Sequence, residues 1–108
     1  MQVREAKLSD LKNLSVLFNS YRMFYGKESD IRVAEEFLRS RIENKDSKIF
    51  ICEFNNELSG FVQLYPIFSS TRVSKYWLLN DLFVDINKRG KGYSKLLIER
   101  SKELVIES

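Results

Sequence analysis

The residues whose types and spacing best suit chemistry lie in one run, Leu82-Phe83-Val84-Asp85-Ile86-Asn87-Lys88-Arg89-Gly90-Lys91-Gly92-Tyr93-Ser94. An apolar segment breaks there into a basic turn with two glycines and then into an amphipathic pattern, so the order predicted is strand, turn, helix. The first amides of a helix have no intrahelical partner and, with the helix dipole, attract an anion; Gly90 and Gly92 let a ligand approach the main chain. The chemistry that fits is the holding of a phosphorylated ligand. A second candidate is the pair Asn80-Asp81, set in an otherwise apolar stretch from Tyr76 to Val84. A carboxylate and a carboxamide are costly to bury unless hydrogen-bonded. Asp81 is therefore either a group that meets a substrate or its proton, or a satisfied structural carboxylate.

Two other glycine motifs fail on spacing. A P-loop requires G-x-x-x-x-G-K-S/T, and a dinucleotide-binding turn requires G-x-G-x-x-G, but Lys95 stands where the third glycine of the latter belongs. The remaining alternative is an ordinary strand-to-helix turn with solvated lysines.

The elements that must position these residues follow from periodicity. Gln2–Ala6 is a short strand, and Ser9 or Asp10 caps a helix whose Leu11, Leu14, Phe18 and Tyr21 share one face. Tyr25–Asp30 breaks the pattern, and Ile31, Ala34, Leu38 and Ile42 mark a second helix. Lys48–Phe54 is apolar on both parities, as in a strand covered on both faces. Asn55-Asn56 turns into a hairpin partner, Glu57–Tyr65, which Pro66 is expected to end, leaving Ile67–Ser74 as a polar loop. Tyr76–Asp85 is a long strand with Trp77, Leu79, Asp81 and Phe83 on one face and Tyr76, Leu78, Asn80, Leu82 and Val84 on the other. From Tyr93 a helix runs on with Leu97, Ser101 and Leu104 on its packing face.

Composition narrows the function. The 108 residues suffice for one domain with one modest core, and the chain has no repeat, linker or low-complexity tract. No segment is long and apolar enough to span a membrane, and the first residues do not read as a signal peptide. A single cysteine, Cys52, and no histidine argue against a disulfide or a zinc cluster, and a reducing, cytoplasmic setting is expected. The net charge is only +3, but Lys88, Arg89, Lys91, Lys95, Arg100 and Lys102 crowd the turn and its helix. Such a patch suits a phosphorylated cofactor. It would also suit a nucleic-acid backbone, although Tyr93 is the only ring among these residues and the interleaved aromatics of a single-strand binder are missing.

Arg89-Gly90-Lys91-Gly92-Tyr93-Ser94 resembles the Q/R-x-x-G-x-G/A signature with which GNAT-superfamily N-acetyltransferases hold the pyrophosphate of acetyl-CoA, and Leu82-Phe83-Val84 precedes it as the family's L-x-V strand does. Arg89 and Gly92 match; Ser94 replaces the final small residue, and Ile86 stands where many members have proline. Arg4-Glu5-Ala6, Asp10 and Leu14 also resemble the family's first strand and helix, and Tyr76–Val84 is similar to the polyamine and small-amine branch, where an acidic pair or Asn-Asp lies near the acceptor amine.

The resemblance implies a mixed α/β fold, a mostly antiparallel sheet with flanking helices in the order β-α-α-β-β-β-α, forming one acyl-CoA N-acyltransferase-like domain over residues 1–108. It implies a cofactor site at Leu82, Phe83, Val84, Arg89, Gly90, Lys91, Gly92, Tyr93 and Ser94, substrate contacts at Tyr25, Asn80 and Asp81, with Tyr21 and Glu28 nearby, and a catalytic role for Asp81. The implied reaction is transfer of acetyl from acetyl-CoA to a primary amine of a polyamine-like small molecule or a peptide, without a metal. No residue is identifiable as the acid. The family domain continues with a fifth strand and a fourth helix, so the chain is expected to be its amino-terminal portion, with an open edge at Tyr76–Asp85 that invites a homodimer. A catalytically incomplete or partner-dependent fragment and a basic nucleic-acid-binding module are the competing expectations, the last the weakest.

Overall fold

The computed structural model describes all 108 residues, Met1–Ser108. Four strands, β1 (Gln2–Glu5), β2 (Lys48–Phe54), β3 (Glu57–Ser69) and β4 (Ser74–Val84), form one antiparallel sheet in the order β1-β2-β3-β4. Helices α1 (Leu11–Phe24) and α2 (Ile31–Asn44) follow β1, and α3 (Tyr93–Glu107) follows β4.

The double parity of β2 produces three layers. Ile49 and Ile51 pack with Leu14, Phe18, Ala34 and Leu38 of α1 and α2, while Phe50 and Cys52 pack with Leu97 and Leu104 of α3. Ser101 is small and buried on the α3 face, its hydroxyl donating to the Leu97 carbonyl at 2.9 Å. The Asn55-Asn56 turn has φ of 51° and 63°, the left-handed pair that a tight hairpin requires.

Three local expectations are corrected. Asp10 precedes α1 without capping it: both carboxylate oxygens accept from Arg4 at 2.8 Å, and one also accepts from the Lys7 amide at 2.7 Å. Ser9 is exposed within the 3-10 turn Leu8–Asp10. Pro66 does not end β3, which pairs with β4 as far as Ser69, so most of the expected Ile67–Ser74 loop is hairpin arm. β2 pairs only to Leu64, leaving β3 one neighbour beyond it, and a strand with one open side tolerates a missing N–H.

The third correction concerns the two faces of β4. Gln63 pairs with Asp81 but Leu64 pairs with Leu79, so Asn80 is an extra residue, a β-bulge. The alternation therefore breaks. Asp81 and Phe83 face α1 beside Gln63 and Phe61, whereas Trp77 and Leu79 share the α3 face with Leu64. β4 is the sheet's outer strand, and Tyr76, Leu78 and Leu79 on it are exposed.

Candidate active site

At the end of β4, Asp85 accepts from the Asn87 amide at 3.0 Å and starts a 3-10 turn, Ile86–Lys88. The chain then passes through Gly90 and Gly92 at φ of 82° and 80°, a region that side chains with a Cβ rarely adopt. Gly92 leads into α3 with no side chain capping the helix. The first-turn amides of α3 thus remain available to an anion.

These elements enclose a cleft of about 370 Å³. Leu82, Phe83 and Val84 line it from β4, Arg89, Gly90 and Gly92 from the turn, and Tyr93 and Ser94 from α3. Of the residues expected to hold the cofactor, only Lys91 lies outside the lining, exposed beside it. Lys88 lines the cleft too, its ammonium 2.7 Å from Glu57. The remaining wall comes from the end of α1 and the residue after it, Phe24 and Tyr25. Arg89 joins the two sides: its Nε donates to the Val84 carbonyl at 2.9 Å, and its guanidinium lies 5.1 Å from the Phe24 ring and 5.3 Å from the Phe83 ring.

The expected substrate residues separate. Tyr25 is exposed in the cleft wall, its ring 5.2 Å from that of Tyr21. Glu28 is exposed between α1 and α2 and is not part of the lining. Asn80 and Asp81 do not line the cleft either. Asp81 is 7% exposed and accepts from three donors, the Tyr21 hydroxyl at 2.8 Å, Gln63 Nε2 at 3.0 Å and Asn80 Nδ2 at 3.1 Å. Burial, reinforced by the Asp81 carboxylate, pushes the Tyr21 phenol far above its ordinary range. Tyr21 is thus a donor and not an anion at neutral pH.

Sequence reasoning missed Phe24 and Gln63. Phe24 ends an amphipathic helix on its exposed side, and Gln63 is a lone carboxamide in an apolar strand; neither has a pattern until the strands are paired. Asn19, also missed, fixes the α1–α2 connection by accepting from the Asp30 amide at 2.8 Å and donating to Ser29 at 3.1 Å. Cys52 is buried and its thiol is pushed up to about 11 by that burial, so it is no nucleophile for this cleft.

Half of the basic patch is paired: Lys88 meets Glu57, Arg100 lies 3.5 Å from Glu103 and Glu107, and Lys102 lies 3.6 Å from Glu99, so the positive charge without an acidic partner is confined to Arg89, Lys91 and Lys95 about the glycine turn. Arg100 also stacks 4.4 Å over Phe50.

Residues 14–108 match the acetyltransferase (GNAT) family. The chain is 47% identical over 103 residues to an uncharacterized N-acetyltransferase of Bacillus subtilis, YhfO, covering 95% of this chain and 69% of the relative. It is 32% identical over 106 residues to a probable acetyltransferase of Haemophilus influenzae, covering 97% and 73%. A crystal structure of a probable acetyltransferase superposes with a TM-score of 0.93 at 36% identity, over 99% of this chain and 73% of that one. A predicted acetyltransferase of Clostridium acetobutylicum, crystallised with acetyl-CoA, shares the fold at a TM-score of 0.80 and 16% identity, over 98% and 73%. The chain belongs to the GNAT family and is an acetyltransferase.

Proposed function

We propose that residues 1–108 act as one acyl-CoA N-acyltransferase-like unit that transfers acetyl from acetyl-CoA to a primary amine. The observation that carries this is the convergence of a strand end, a glycine turn and a helix start on one cleft. The residues suit the cofactor. No atom lies within 4 Å of where a Cβ would stand on Gly90 or Gly92, which leaves room for a pyrophosphate against the main chain. Lys88 and Arg89 supply positive charge. The turn and the first amides of α3 would hold the phosphates, and Leu82–Val84 would offer main-chain groups to the pantetheine arm. Bound acetyl-CoA supplies an activated acetyl group as a thioester.

The chain's own side chains then shape the acceptor end. Phe24, Tyr25 and Phe83 present ring surface on that side of the cleft. The amine must be neutral to attack, and the lining includes no carboxylate to take its proton, so water carries the proton away.

The same lining bears on the acceptor. An amine with further positive charges would meet Arg89, which has no acidic partner, while the Lys88 charge is paired with Glu57. A single amine on an apolar or aromatic body, such as a small monoamine or a peptide amino terminus, fits better than a polyamine. Release of free CoA thiol on mixing the chain and acetyl-CoA with benzylamine, a short peptide or spermidine tests this. The first two should outpace spermidine. A preference for spermidine would reverse the acceptor assignment, and no acceptor-dependent thiol release from any of them would remove the proposed reaction.

A further inference from the structure

A chain of hydrogen bonds runs through the core beneath the cleft and is not used by the chemistry above. Ser47 Oγ donates to Gln63 Oε1 at 2.9 Å, Gln63 Nε2 donates to Asp81 Oδ2 at 3.0 Å, and the Tyr21 hydroxyl donates to Asp81 Oδ1 at 2.8 Å. Gln63 has no exposed surface and Asp81 almost none. Burying a carboxamide and a carboxylate side by side is costly unless every group is matched, and apolar residues of similar size would fill the space without that requirement. What the polar chain provides is direction, because donors and acceptors hold a side chain in one orientation where packing alone permits several.

The side chain so held is Tyr21. Its hydroxyl is fixed from the core, and its ring meets Phe61 at 5.4 Å, Phe83 at 5.6 Å and Tyr25 at 5.2 Å, the last two being lining residues of the cleft. The bulge at Asn80 gives the arrangement its reach, since it places Asp81 on the α1 face beside Gln63 although Leu79, two residues earlier, lies on the opposite face.

We propose that Gln63 and Asp81 are positioning residues for the acceptor end of the cleft: through Tyr21 they set where the Tyr25 ring stands, and they do not touch the reacting atoms. In place of the base that the sequence suggested, Asp81 is a fixed acceptor. Its consequence for the reaction rests on the cleft being the place of acetyl transfer.

The test is made on the full chain with 3-fluorotyrosine placed at position 25 alone and read by fluorine NMR. Tyr21→Phe deletes one hydroxyl and keeps the ring, and Asp81→Ala removes the acceptor. Asp81→Asn is the conservative variant: its carbonyl oxygen still accepts from Tyr21, and rotation of the Gln63 amide restores the other bond. Tyr21→Phe and Asp81→Ala should shift and broaden the position-25 signal, and Asp81→Asn should return it towards the wild-type position. A signal unmoved in Tyr21→Phe, with circular dichroism unchanged, overturns the proposal even if Asp81→Ala does not fold. In acetyl transfer to benzylamine, Tyr21→Phe should raise the acceptor KM roughly tenfold, the effect of a misplaced contact, with kcat of Asp81→Asn held within about twofold. Collapse of kcat in Asp81→Asn at unchanged KM would make Asp81 the base and overturn the assignment. A wild-type chain that fails to bind acetyl-CoA would defeat the acetyl-transfer proposal while leaving the NMR result to decide the positioning.

Discussion

Arg89 makes more contacts than its place in a signature requires. It ties the glycine turn to the Val84 carbonyl and lies across Phe24 and Phe83, so one side chain links the turn to the aromatic wall of the cleft. A lysine cannot both donate from a planar fork and stack on rings. Arg89→Lys should therefore lose nearly as much affinity for acetyl-CoA as Arg89→Ala, about tenfold in calorimetry, as expected for one charge-assisted contact. If the guanidinium also serves the pyrophosphate, the loss is larger for acetyl-CoA than for a pantetheine-only analogue; equal losses would remove that assignment, and full rescue by lysine would remove the bridging one. Arg89 and Gly92 are legible in the sequence because type and spacing carry their chemistry locally. Gln63 and Phe24 are not legible, because each acquires its partner only when a distant strand or turn arrives.

At the scale of elements, the junction of β1 and α1 is held by charge. Arg4 pairs with Asp10 and also reaches Glu53 on β2 at 3.2 Å. Hydrogen bonding from Arg4 holds the Asp10 carboxyl below its ordinary range; burial opposes the shift and the Lys7 amide adds to it. With the folded value depressed, this carboxylate stabilises the fold fully above the unfolded pKa of about 4, and its contribution disappears as pH falls through the folded value. Thermal melts should show a steeper fall in melting temperature below pH 4 for the native chain than for Asp10→Asn. Parallel slopes would show that the junction does not depend on the charge of Asp10. The helices and β2 are legible because each repeats its pattern over several turns or pairs: Leu11, Leu14 and Phe18 do face the sheet, and Ile49, Phe50, Ile51 and Cys52 do alternate between two cores. The path through Pro66 and the bulge at Asn80 are not legible, since the first depends on where β2 stops pairing and the second on a register between strands. The bulge matters more, because a one-residue slip decides which face receives Asp81.

For the whole molecule, three layers bring the end of an outer strand, a glycine turn and an aromatic helix end to one cleft, in a chain whose residues 14–108 match the GNAT family. The order of elements and the glycine turn are accessible from sequence because they are consecutive in the chain; the aromatic wall is not, because it joins residues near 24 to residues near 83. The central claim, that this cleft receives acetyl-CoA, is tested most directly by calorimetric titration of the native chain, Gly92→Ala and Gly92→Glu. Both variants bear the strain of a Cβ at a φ of 80°, but only glutamate adds negative charge and bulk where the phosphates would lie. Saturable binding by the native chain, weakened in Gly92→Ala and abolished in Gly92→Glu, is the predicted result. Absence of binding by the native chain, or equal affinity in Gly92→Glu, would contradict it.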